Sequence, residues 1–156
     1  MQVLDQRYRQ VTLTVTAGAY ASGQCVGGLK TLTSNLLAPH SKTAEVRQII
    51  IVDKAEQDVD YDVLFFHSNP STTTFTDNVE LDMADADLTK LCGIVEVRTH
   101  YAFADNGCVS SGPTSIPIRT EAGSGSATLY MAVVVRGSAT FASTSDLSVG
   151  IVVYGD

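Results

Sequence analysis

The first clear pattern in the chain lies at residues 11–16, Val11-Thr12-Leu13-Thr14-Val15-Thr16, where apolar and hydroxyl residues alternate without a break. Successive side chains of a strand point to opposite faces, so Val11, Leu13 and Val15 are expected in a core and the threonines outside. Glycines at 18, 23, 27 and 28 punctuate the next stretch, leaving a short strand over 24–29 and then a polar loop toward Pro39. Residues 45–53 contain Ile49-Ile50-Ile51-Val52, and a run that is apolar at every position predicts a central strand covered on both faces. Another strand is predicted over 61–66, with Pro70 ending any continuation because it removes a ladder donor. The run Thr72-Thr73-Thr74 reads as a loop or an edge.

One short helical turn is predicted over 86–91: Asp85 is placed to cap free N–H groups, Leu88 and Leu91 fall three apart, and Gly93 suits a left-handed stop. Residues 94–101 return to alternation, with Val95, Val97, Thr99 and Tyr101 on one face and Glu96, Arg98 and His100 on the other. Asn106-Gly107 and Ser111-Gly112-Pro113 mark a long turn region, and a strand over 115–119 precedes the Gly/Ser loop at 121–126. Residues 127–135 and 147–154 are the last two strong strands. About eight strands without a helix long enough for a βαβ crossover predict an all-β fold. The expected architecture is an antiparallel two-sheet sandwich, jelly-roll-like, with one short helical turn. Its core is expected to hold Val11, Leu13, Val15, Ile49, Ile51, Val95, Val97, Leu129, Met131, Val133, Ile151 and Val153.

At 156 residues the chain has the length of one domain, and neither an internal repeat nor a break in composition divides it. The expected organisation is a sandwich over 11–156 preceded by an arm at 1–10. That arm is polar, lacks alternation and carries Arg7, Tyr8 and Arg9, which are the candidate partner-binding residues: two carboxylate-pairing donors flanking an aromatic anchor. The net charge of −7 argues against a nucleic-acid partner, since affinity for phosphate backbones comes from clustered Lys and Arg. The N-terminus shows no apolar signal-peptide core, and the longest wholly apolar stretch, 129–135, is far short of a membrane span, so no membrane partner is expected. Cys25, Cys92 and Cys108 are odd in number and widely spaced, as expected of reduced thiols made in a cytoplasm.

No catalytic residues are expected, and the chain is not expected to be an enzyme. His40, His67 and His100 stand in no nucleophile–base motif, and no G-x-S-x-G elbow or phosphate-cradling loop is present. Asp58, Asp60 and Asp62 repeat at every second position, which invites a calcium reading. A calcium-loop count from Asp58 nevertheless puts Val63 where glycine is required and Asn69 where glutamate is required. Alternate aspartates on a strand more simply share its solvent face, so no metal and no cofactor are expected. The acidic set Asp77, Glu80, Asp82, Asp85 and Asp87 surrounds the helical turn, where helix capping accounts for part of it. The absence of tryptophan platforms weighs against a glycosidase cleft and against a glycan-binding module.

Several stretches together resemble the capsid cement or decoration proteins of tailed bacteriophages. They are Ala21-Ser22-Gly23-Gln24-Cys25-Val26-Gly27-Gly28, Ile50-Ile51-Val52-Asp53, Leu64-Phe65-Phe66 with Pro70, Phe75-Thr76-Asp77-Asn78, and Ala86-Asp87-Leu88 leading to Gly93. The resemblance implies a protein made in the host cytoplasm that clamps major capsid protein subunits on the outer surface of a virion and associates with itself as a dimer or trimer. It brings no catalytic residues. Another virion component, from tail or head, or a non-catalytic ligand- or glycan-binding sandwich are the alternatives.

Overall fold

The computed structural model describes residues 5–32, 43–119 and 128–155. Twelve strands are found there: β1 (Asp5–Leu13), β2 (Gly18–Tyr20), β3 (Cys25–Leu32), β4 (Thr43–Asp53), β5 (Tyr61–Phe66), β6 (Leu91–Val97), β7 (Thr99–Ala102), β8 (Gly107–Ser110), β9 (Ile116–Arg119), β10 (Leu129–Val135), β11 (Ala139–Phe141) and β12 (Leu147–Gly155). One helical turn, α1 (Asp85–Leu88), lies between β5 and β6.

The first sheet has the order β1-β12-β4-β8-β7, with β9 pairing the start of β4; the second has the order β3-β10-β5-β6; β2 and β11 form a small ribbon. Every pairing is antiparallel. Quartets β1-β12-β4-β8 and β3-β10-β5-β6 interleave early and late strands in each sheet, the connectivity of two nested Greek keys. That is the eight-stranded jelly roll. Such a fold hides most of its strand edges by bending one long antiparallel ribbon over itself, and its main core lies between the two inner faces.

Eleven of the twelve expected core residues are buried; Val11 is only partly so and packs against the main core. A second, smaller core lies on the outer side of the second sheet, where the connection 67–90 folds back over it. Leu64, Phe66, Ala132 and Val134 are buried beneath Phe75, Leu81, Met83 and Leu91.

That connection is fastened at two carboxylates. Asp77 accepts hydrogen bonds from Thr16 N, Thr16 Oγ1 and the Tyr20 hydroxyl, each at 2.7 Å, and from Gly27 N at 2.6 Å. Burial and the Asp77 carboxylate both push the Tyr20 hydroxyl well above the usual tyrosine range. Gly27 holds φ +72°, and a Cβ there would stand 2.9 Å from the Leu13 Cβ, so only glycine lets the β3 backbone approach β1 at this point. Asp87, fully buried, accepts from Thr72 N at 2.9 Å and Thr73 N at 2.6 Å and pairs with Lys90 at 2.8 Å. Its burial alone would raise its pKa, but the bonds from Lys90, Thr73 and Thr72 outweigh that and hold it at about 2.

Four expectations are corrected. Residues 5–10 are not an arm but the first part of β1, in register with β12 from Asp5↔Gly155 to Gln10↔Gly150. The alternation of Val11 and Leu13 continues upstream through Arg9 and Arg7, half-buried on the same side, and arginine hid it from a search for apolar residues. Alternation over 94–101 is divided between the sheets: Val95 and Val97 face the core from β6, whereas Thr99 and Tyr101 are exposed on β7 in the first sheet. Asp85 makes no side-chain cap, the helix being preceded by Ala84, and Gly93 continues into β6. Residues 107–110, expected as turn, form β8 between β4 and β7.

Candidate interaction surface

The outer face of the first sheet can be read off the register. One row of outward residues runs Thr12-Ser148-Val52-Cys108-Tyr101 and the next Gln10-Gly150-Ile50-Ser110-Thr99. A third runs Tyr8-Val152-Gln48. No Asp, Glu, Lys or Arg stands in these rows, although the chain carries a net charge of −7. Tyr8 is 61% exposed and Tyr101 53%, while Ile50, Val52 and Val152 are half-buried between them. Polar members are tied down locally: Gln10 Nε2 donates to Ser148 Oγ at 3.0 Å and Gln48 Nε2 to Ser110 Oγ at 3.1 Å. The Arg47–Glu45 ion pair, 2.8 Å long, marks the border of the face, with the Arg47 guanidinium 5.4 Å from the centre of the Tyr154 ring.

Gly150 shapes the middle of this face. A Cβ there would stand 2.7 Å from the Tyr8 hydroxyl and 2.9 Å from its Cε2, so the Tyr8 ring lies flat in the notch that the glycine leaves. The three candidate partner-binding residues are thereby divided. Arg7 and Arg9 turn to the inward side of β1, and Tyr8 alone of the three lies on the outer face. Sequence reasoning missed the rest of the surface, yet the signal was present: Ile49-Ile50-Ile51-Val52 is apolar on both sides of β4, and the described residues fully bury only the side of Ile49 and Ile51.

The acidic candidates have different fates. Asp62, the second residue of β5, is buried, not on a solvent face as expected. It is held by Arg98 and, at 2.5 Å, by Arg136 Nε. Burial works to raise its pKa, and the two guanidinium groups overcome this and hold it below the usual carboxylate range. Asp58 and Asp60 flank His100, with carboxylate oxygens 2.8 Å from Nδ1 and Nε2 respectively. Asp58 and Glu56 sit in the left-handed region at φ +52° and +48°, where the tight turn after β4 forces them; Asp53 secures that turn by accepting from Ala55 N and Gln57 N. The crevice that Asp53, Glu56, Asp58 and His100 share with β7 and β8 has a volume of about 10 Å³, room for one water. Among the described residues no group of three or more His, Cys, Asp or Glu side chains is arranged to hold a metal ion. His67 meets the Thr89 carbonyl, and burial pushes the Cys25 thiol up to about 11.

No family model and no curated protein matches the chain. Solved structures give distant likenesses. A chain of the T13 viral particle of infectious bursal disease virus aligns with 96% of this chain at a TM-score of 0.30 and 11% identity. This chain spans about a third, 35%, of that one. A chain of the Israeli acute paralysis virus particle aligns at 0.27 and 16% identity, covering 97% of this chain and 69% of that one. A marine algae virus of the order Picornavirales gives 0.23 and 9%, covering 95% and 65%.

Two of the five stretches that carry the phage resemblance meet in space. Residues 21–28 and 75–78 lie against each other through Gly27 N→Asp77, Asn78 N→Cys25 O at 2.9 Å and Cys25 N→Val79 O at 2.9 Å. They form one packing unit, the clamp that holds the 67–90 connection on the second sheet.

Proposed function

We propose that this chain is a non-catalytic virion structural protein of the capsid decoration class, docking through the outer face of its first sheet onto major capsid protein subunits at the outer surface of an assembled shell. The observation that carries the reading is a strand, β4, whose sequence is apolar on both faces while the fold covers one. Ile50, Val52 and Val152, flanked by Tyr8 and Tyr101, make an uncharged patch on an acidic protein. Exposed apolar patches of this kind mark interaction sites, and tyrosines are common anchors in them. Jelly rolls are among the folds of viral capsid domains, and the phage-like stretches point the same way; fold alone would not decide function.

Five strands about 4.8 Å apart and some seven residues long at about 3.3 Å per residue offer on the order of 500 Å² per partner. A single such contact is small for a stable complex. Repeated over a symmetric lattice, or doubled by self-association, modest contacts gain from avidity, and a ligand that binds only the assembled lattice stabilises it by mass action.

The test compares particles assembled with and without this chain, imaged by electron cryo-microscopy and heated until the genome escapes. Symmetric density on the outer shell and earlier rupture without the chain are expected. Ile50→Glu should leave the free protein folded and remove it from particles, because an unpaired carboxylate in the contact must be desolvated. Density confined to the tail, or no bound copy, would refute the assignment.

A further inference from the structure

The connection 67–90 carries a second surface, on the opposite side of the sandwich. Its two extended limbs obey a period of two. Thr73, Phe75, Leu81 and Met83 point down onto the second sheet, Thr73 buried and the other three packed over Leu64 and Phe66. The alternate residues Thr72, Thr74 and Thr76 on one limb, and Glu80, Asp82 and Ala84 on the other, therefore point away from the sheet and line a groove of about 410 Å³, with Val79 at its end. This volume lies within the range of small-ligand sites. The downward residues are fastened: Asp87 takes Thr72 N and Thr73 N, and the Thr73 hydroxyl accepts from Ala84 N at 3.1 Å, so both limbs are held at a set separation.

The groove's own polar groups are uncommitted. Among the described residues neither the Glu80 nor the Asp82 carboxylate has an ion-pair or hydrogen-bond partner, and the hydroxyls of Thr72, Thr74 and Thr76 are likewise unspent. One limb thus presents three groups that both donate and accept, and the other two strong acceptors. Val79, 50% exposed, and Ala84 add apolar contact.

We propose that this groove binds a neutral saccharide. Vicinal sugar hydroxyls donate to the two carboxylates while accepting from the threonines, and the C–H face of the ring covers Val79. An anionic sugar would meet two unpaired carboxylates and be rejected. A cationic peptide would engage the carboxylates and leave the threonine ladder without a matching role. The site stands on the groove alone and does not depend on the virion reading.

The test is an amide NMR titration of the full chain with methyl glucoside, methyl galactoside, N-acetylglucosamine, lactose and N-acetylneuraminic acid, and with tetralysine as the cationic control. Saturable shifts confined to residues 72–84 are expected for at least one neutral sugar and absent for N-acetylneuraminic acid. Paired Glu80→Gln and Asp82→Asn substitutions, both on exposed side chains, should weaken that binding about tenfold or more with the rest of the spectrum unchanged. The proposal is overturned if no neutral sugar shifts these amides, if the paired substitutions leave the affinity unaltered, or if only tetralysine binds and loses affinity with added salt.

Discussion

Strands β4 and β5 are alike in sequence and unlike in fate. Each is apolar at consecutive positions, Ile49 to Val52 in one and Val63 to Phe66 in the other, and each lies inside its sheet. On β5 both faces are buried, because the connection 67–90 returns over Leu64 and Phe66 and is fastened by Asp77 and Asp87. On β4 only Ile49 and Ile51 are fully enclosed; Ile50 and Val52 stand half-open in an uncharged face. An apolar run therefore reports that a strand will be covered on both sides without saying by what. In the second sheet the cover is the chain's own, and in the first we propose that it is another molecule.

Breaking the covered face should cost most. Phe66→Ala, which empties the second core, should lower stability by about 3 to 5 kcal/mol, and Ile51→Ala in the main core by about 2 to 5 kcal/mol, both read by chemical denaturation. Ile50→Ala, one residue away on the bare face, should cost about 1 kcal/mol or less in the free protein. A cost equal to that of Ile51→Ala would mean that the face is closed in solution, and a concentration-dependent midpoint would identify the cover as a second copy.

Removing the fastener of the cover comes next. Asp77→Ala leaves Gly27 N and the hydroxyls of Thr16 and Tyr20 without this acceptor and should cost roughly 3 kcal/mol. Amide exchange should then rise over residues 67–90 before it rises in β4 and β12. Uniform loss of protection would make the two faces a single cooperative unit.

Acid sharpens the same contrast. Asp87 titrates at about 2 in the folded protein, below the value of about 3.9 for an unfolded aspartate. Its contribution is therefore present above pH 4 and is lost as the pH falls through 2, since the unfolded chain takes up the proton first. Asp62, also lowered, acts in the same direction. Asp53, which burial raises against the bonds from Gln57 and Ala55, acts oppositely. Asp87→Asn should flatten the fall in stability over that interval, measured as midpoints of denaturation at each pH. The smallest effect is expected at the notch: Gly150→Ala displaces the exposed Tyr8 ring, which can swing into solvent, and should change stability by only a few tenths of a kcal/mol.

Local patterns in the sequence were enough to determine the β class, seven of the eight jelly-roll strands and a reliable part of the inner core, because side-chain alternation is a property of each strand by itself. They misplaced what depends on partners far along the chain. Arg7 and Arg9 read as a loose arm because only pairing with β12 shows them to be inward positions of a strand. Val97 and Tyr101 fall on one periodic face in sequence, but the chain changes sheets at Arg98, whose guanidinium reaches back to Asp62 on β5. Threonines 72, 74 and 76 face Glu80 and Asp82 across a groove only because Asp87 draws one limb against the helical turn. Burial preference is written residue by residue. Which surface supplies the burial is settled by long-range closure, and on the outer face of the first sheet the described residues leave it open.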